Sequence, residues 1–325
     1  MTAASLVAFG AVFVSTSLGL SLLFSGSLLL GGQFLRRMGP WVERRAATAA
    51  LVLPPLLAFG LVAVLAVDSA LALSEGTDHC LDHPHHLHLC LKHSALWASQ
   101  PWALCLVISA ATFVAVRSTL SLWAHWVAQR AVSRLRMLGA PIGERACYLV
   151  PSDVRFAFTA GLLSPAVIFS SAAWEVLERE QREAILAHEI AHVAHGDLRR
   201  RAVLGFAASF GAPYLVSRGL RMWELSAERI CDRHAALAVD RPSTVASAML
   251  ALVRTAPTRL APEWAVFAAA SHVPERIESL LREEPGGERH SRHLLIVFAA
   301  ASVFFAIACG AFAGPIHHTL ETILG

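Results

Sequence analysis

Long uncharged stretches dominate the chain. From Ala3 to Gly32 no charged residue interrupts the apolar positions, and about 20 residues are enough to cross the hydrocarbon core of a bilayer. The run lacks the basic start and short apolar centre of a cleavable signal peptide, so it predicts a retained span. A second run from about Ala46 to Leu73 is uncharged until Asp68 and carries Pro54 and Pro55, which a membrane helix accommodates as a kink. A third begins near Ala95 and stays apolar through Val116, where Arg117 marks an exit. The fourth, Leu294 to Ala313, follows Arg289 and Arg292. Ala202–Val216 is also apolar, but it is short and broken by Gly205, Gly211 and Pro213. It predicts a buried or membrane-dipping helix rather than a crossing.

Composition agrees with a membrane protein. Of 325 residues, 55% are hydrophobic and 16% charged, against roughly 25% charged in a soluble domain. The placement of charge adds an orientation. Arg36, Arg37, Arg44 and Arg45 crowd the loop at residues 33–45 against a lone Glu43, whereas the loop at residues 74–94 holds Glu75, Asp78 and Asp82 against a lone Lys92. Basic residues in short loops stay in the cytoplasm, so the first loop faces inward and the second outward. Arg117, Arg130, Arg134 and Arg136 after the third span, with Arg289 and Arg292 before the fourth, keep the intervening stretch inside. The expected layout is a mainly α, multi-pass protein of the cell (inner) membrane. Residues 1–125 hold three transmembrane helices, 126–292 form a cytoplasmic α+β domain, 293–313 form the fourth helix and 314–325 a short outward tail. The net charge of +3 is too weak for direct nucleic-acid binding. The six cysteines have neither the density nor the spacing of a disulfide scaffold.

Chemistry concentrates in EREQREAILAHEIAHVAHGD. His188 and His192 are four residues apart, so on a helix they lie one turn above each other and direct two imidazoles at one ion. Glu189 stands beside them, where its carboxylate can accept a proton from water. This His-Glu-x-x-His pattern is a zinc-peptidase signature. A catalytic Zn2+ takes three protein ligands, and the run WELSAERICDRHAA downstream offers the third. Glu228 is the expected ligand, with Asp232 one turn later on the same face to orient His188 or His192, and Glu224 in reserve. Were Ala202–Val216 to cross the membrane, Glu228 and His188 would lie on opposite sides and the site could not assemble.

LAHEIAHVAHGDL followed by ERICD, and preceded by AFTAGLLSPAVIFS, resembles the membrane-embedded gluzincin peptidases of the antibiotic-sensing BlaR/MecR type. The more distant HtpX and CAAX-prenyl endopeptidase families share the His-Glu-x-x-His and Glu-x-x-x-Asp pair. The resemblance covers about Cys147 to Leu281, and the four-span layout is similar too. It implies His188, His192 and Glu228 as ligands of one Zn2+, Glu189 as general base and Asp232 behind the ligands. It further implies that Phe158–Ser170 forms an edge strand able to hold an extended substrate, and that Arg276 in HVPERIESLL makes an ion pair. The sensing relatives carry a penicillin-binding domain after the last span, where only Gly314–Gly325 remain here. Direct acylation by a β-lactam is therefore not expected.

Six of the sixteen histidines fall in DHCLDHPHHLHLCLKH within the outward loop. Cys80, His83, His85, His86, His88 and Cys90 form a candidate metal loop, with a solvated linker or a Cys80–Cys90 disulfide as the alternatives. The expected function is an integral membrane zinc endopeptidase acting on a protein or peptide at the cytoplasmic face. Signal-triggered cleavage of a winged-helix transcriptional repressor, and of itself, leads. HtpX-like quality control of membrane proteins and a non-cleaving metal-sensing receptor are the alternatives. A homo-oligomer stays open.

Overall fold

The computed structural model of the chain describes residues 3–74, 100–143, 146–253 and 272–282. The candidate metal loop from Cys80 to Cys90, the fourth span and the tail lie outside the described residues.

Among the described residues, three helices are long and apolar enough to cross a membrane: α1 (Ala3–Arg37), α2 (Pro40–Ser74, with Pro54 and Pro55 inside it) and α3 (Pro101–Leu138). Leu23, Leu30, Phe59 and Ile108 are exposed on them, as a lipid-facing surface requires. Residues 33–45, read from the sequence as a loop, are helical apart from the turn at Met38–Gly39. Arg117 ends the third apolar run but not the helix. Helix α3 continues for its full 38 residues, about 57 Å at 1.5 Å per residue and about twice the hydrocarbon thickness. Past its apolar stretch, α3 becomes a wall of the next layer through Val132 and Leu135.

That layer is a four-stranded sheet of β1 (Ala140–Pro141), β2 (Cys147–Val150), β3 (Ala157–Ala160) and β4 (Ala166–Ser170), in the order β1-β2-β4-β3. β2 and β4 run parallel, and the other pairs are antiparallel. β4, AVIFS, is buried at every position, the unbroken apolar pattern of a strand covered on both faces. Val167 and Phe169 pack with Cys147, Ile185, Ala248 and Leu252 on one side. Ile168 packs on the other against Val132 of α3 and Phe158. The single edge strand expected over Phe158–Ser170 is instead a hairpin. Gly161 breaks it at φ +105, where a Cβ would meet the Ser164 carbonyl oxygen at 2.5 Å, and only β3 forms the edge.

Helices α4 (Ser171–Val176), α5 (Arg179–His195), α6 (Asp197–Ala207), α7 (Pro213–Val239), α8 (Pro242–Val253) and α9 (Val273–Leu281) complete the described domain. α5 starts from a capping box, in which Gln181 Oε1 accepts from the Glu178 backbone N–H at 3.0 Å, satisfying donors that a helix start leaves open. It stops at Gly196, whose φ of 63 and ψ of 35 place it in the left-handed region that glycine enters without penalty.

Ala202–Val216 does not cross. It forms the end of α6, a 3₁₀ turn at Ala208–Phe210 and the start of α7, so the chain enters and returns. Leu204, Ala208, Val216 and Trp223 bury against Leu28, Ala47 and Leu51 of the first two helices. At the tip, the Ser17 hydroxyl donates to the Phe210 carbonyl at 3.2 Å and Arg117 donates to the Gly211 carbonyl at 3.4 Å. The return brings α7 back alongside α5.

Phe169 is fully buried at the centre of this packing. Phe169→Ala should cost about 3–5 kcal/mol, read as a lowered Tm of the full chain in detergent. Leu163→Ala, at an 84% exposed position, should change stability by no more than about 0.5 kcal/mol.

Candidate metal centre

α5 and α7 pack face to face, and the residues singled out by spacing meet where they touch. His188 Nε2 and His192 Nε2 are 3.2 Å apart. Glu228 Oε2 lies 3.4 Å from the first, and Glu228 Oε1 lies 3.5 Å from the second. Ligands about 2.0–2.1 Å from a tetrahedral ion stand about 3.3–3.4 Å from one another. The two imidazole nitrogens and the Glu228 carboxylate, which turns one oxygen toward each, are thus close enough to share one ion, and two imidazoles with a carboxylate are a donor set zinc accepts. Glu224, the reserve ligand, is elsewhere: it pairs with Arg201 Nε at 2.7 Å, away from this face.

Each imidazole is backed on its far nitrogen by a carboxylate. Asp232 Oδ1 lies 2.9 Å from His188 Nδ1, which settles which histidine it serves. Asp197 Oδ2 lies 2.9 Å from His192 Nδ1. Such partners set the tautomer and turn Nε2 toward the shared point. Asp197 reaches His192 because the left-handed Gly196 bends the chain sharply before α6 begins. Arg276 on α9 locks the opposite side. Its Nε and a terminal nitrogen donate to the two Asp232 oxygens at 2.8 and 2.6 Å, and its other terminal nitrogen lies 3.0 Å from Glu228 Oε2.

Electrostatics follow from this packing. Burial raises the pKa of Glu228, but Arg276 and the two histidines outweigh it and hold the carboxylate well below its usual range. Asp232 is lowered in the same way, against burial, by Arg276 and His188. Asp197 is lowered against burial by its bond to His192 and by the charge of Arg44. Burial disfavours the charged form of His188, yet its contacts with Asp232 and Glu228 prevail and raise its pKa to about 10. Cys231 lies 3.4 Å from His192 Nδ1. Burial and the carboxylates Asp197, Glu228 and Asp232 push its thiol well up, so it packs here as a neutral group.

Glu189 is held separately. The Thr159 hydroxyl on β3 lies 2.7 Å from Glu189 Oε2 and 2.9 Å from the Glu189 carbonyl oxygen. His195 shares the face of His188 in sequence but packs edge-on against Trp41 at 5.4 Å and His234 at 4.9 Å. Sequence reasoning missed Thr159, Asp197 and the partner of Asp197, Arg44. For Asp197 a local signal existed, an acidic first residue of a helix directly after the glycine that closes α5; for Thr159 and Arg44 none did.

Comparison with known proteins places this geometry. The profile of peptidase family M48 matches residues 121–284, a region that contains His188, Glu189, His192, Asp197, Glu228, Asp232 and Arg276. "Protease HtpX" of Nitrosococcus oceani is 35% identical over 88 residues, 27% of this chain and 29% of that protein. "Protease HtpX" of Enterobacter sp. (strain 638) is 31% identical over 74 residues, 23% of this chain and 25% of that protein. The chain thus spans between a quarter and a third of the length of these relatives. No solved structure matches. The likeness found is to the more distant of the two resemblances that the motifs carry. Matched by the family over just over half of its 325 residues, metal centre included, the chain belongs to peptidase family M48.

Proposed function

We propose that the chain is a multi-pass membrane zinc endopeptidase of the cell (inner) membrane, hydrolysing peptide bonds of polypeptides at the cytoplasmic face. The observation that carries this reading is the convergence of His188, His192 and Glu228 within reach of one ion, with Glu189 beside them and fixed by Thr159. Bound zinc supplies Lewis acidity at the scissile carbonyl and makes water more acidic. The residues of the chain do the remainder. Glu189, with Oε2 engaged by Thr159, takes the proton of the attacking water on its carboxylate and returns it to the leaving amine nitrogen. Arg276 keeps Glu228 and Asp232 ionised, and Asp232 and Asp197 keep both imidazoles facing inward. β3 is an end strand of the sheet next to Glu189, a position at which a sheet can take up an extended substrate strand. Of the two physiological roles, the likeness to the HtpX proteases favours HtpX-like quality control over cleavage of a repressor.

Two outcomes test the reading. Glu189→Ala should lower proteolysis, self-cleavage included, by about 10²–10⁴-fold while the purified chain still holds zinc; unchanged proteolysis would overturn the mechanism. Zinc uptake should also depend on pH with a definite sign. The proton on His188, held to about pH 10 without metal, must leave before Nε2 can bind. The metal-free fold gains from that proton in full below the ordinary imidazole value of about 6.5 and loses the gain as pH rises through about 10. Apparent zinc affinity should therefore rise up to about tenfold per pH unit across that window. Calorimetry in buffers of different ionisation enthalpy should find about one proton released per zinc bound.

A further inference from the structure

Glu43 and Arg44 are consecutive residues in the first turns of α2, a helix long and apolar enough to cross the membrane. Both are buried, Glu43 at 0% and Arg44 at 2% exposure. The Arg44 guanidinium pairs with Asp197 Oδ1 and lies over the Trp223 ring at 5.0 Å. Asp197 spends its other oxygen on His192 Nδ1 at 2.9 Å. An unbroken line of polar contacts thus runs from α2 through Asp197 to the far side of a metal-ligating imidazole. Glu43 makes a second tie. Its Oε2 accepts from Arg229 at 2.6 Å, and Arg229 Nε donates to Ser279 at 2.8 Å on α9, the helix that carries Arg276.

We infer that Arg44 is a positioning residue of the metal centre: by holding Asp197 it holds His192, so a membrane-spanning helix completes the surroundings of the zinc site. The inference rests on the zinc reading above. Its physical basis is the cost of a lone buried charge. Without Arg44, Asp197 would be a buried carboxylate that has lost its guanidinium partner. A carboxylate in that state relaxes toward water, and the imidazole of His192 loses the contact that fixes its tautomer and direction. With Arg44 present, one oxygen is tied down and the other is aimed at Nδ1. The tryptophan ring under the guanidinium adds a cation–π contact that keeps it in place.

The competing explanation is that the Arg44–Asp197 pair only staples α2 to α6. Full-length chain in detergent separates the two, with zinc affinity read by competition against a colorimetric chelator. Arg44→Gln should weaken zinc binding about 10–100-fold, the usual effect of losing a partner behind a ligand. Asp197→Asn should weaken it comparably, and the double variant should be no worse than Asp197→Asn alone, because the two residues act in series. Arg44→Lys keeps the cation but not the two-pronged guanidinium, so its affinity should fall between wild type and Arg44→Gln; it serves as the readout if Arg44→Gln does not fold. Cobalt(II) in place of zinc should show an altered visible spectrum in both Arg44 variants, which a mere staple would leave unchanged. Wild-type zinc affinity in Arg44→Gln, additive effects in the double variant, or wild-type affinity and cobalt spectrum in Arg44→Lys would overturn the inference alone. A wild-type chain that holds no zinc would overturn the functional reading and this inference together.

Discussion

Arg276 is buried among Glu228, Asp232 and the imidazole of His188, and these charges balance only as a set. Burying one ion without partners costs several kcal/mol, so α5, α7 and α9 can close on one another only with all of these side chains in register. That requirement explains the orientation of the centre. Asp232 spans His188 on one side and a bidentate arginine on the other, which leaves Nε2 of the histidine as its only outward-facing nitrogen. A second, parallel line of Arg44, Asp197 and His192 does the same for the other imidazole. Two carboxylate-backed histidines and one arginine-held glutamate then meet at a spacing that helical periodicity alone would not set.

The membrane-associated helices and the catalytic domain are one packed body in the described residues. α3 leaves its apolar stretch and backs the sheet through Val132 and Leu135. In the other direction, the hairpin of α6 and α7 sends its 3₁₀ tip among Phe13, Ser17 and Arg117. Small residues make the close approach possible: at Gly211 a Cβ would meet Ser21 Oγ at 2.5 Å. Both ends of α6 are thus tied to the long helices, Asp197 at its start to Arg44 of α2 and the tip beyond its end to Ser17 of α1 and Arg117 of α3.

Much of this is legible in the order of the amino acids. Apolar run length identifies α1, α2 and the first half of α3; His188 with His192 and Glu228 with Asp232 are readable from i, i+4 spacing, and Glu189 from its place beside His188 in the His-Glu-x-x-His pattern. Where expectation and structure part, local pattern meets tertiary demand. Arg117 ends the third apolar run, but its guanidinium has a carbonyl partner on the α6–α7 tip, and the helix goes on. Residues 33–45 read as a loop for their arginines, yet Glu43 and Arg44 are buried helical residues with partners far away in the chain. The resemblance implies one edge strand over Phe158–Ser170, and the left-handed Gly161 divides it into the β3–β4 hairpin.

The order of amino acids alone singles out the candidate set, because His188, Glu189, His192 and Glu228 lie on helices whose 3.6-residue period is a local property. It also determined which stretches seek lipid, since that follows from the length of uncharged runs. Only the tertiary structure decided what stands behind each ligand. Arg44 and Asp197 are separated by 153 positions and Arg276 and Asp232 by 44, distances over which no periodicity carries information. Pairing of buried charges is settled when helices dock and water leaves, and that step belongs to the folded chain.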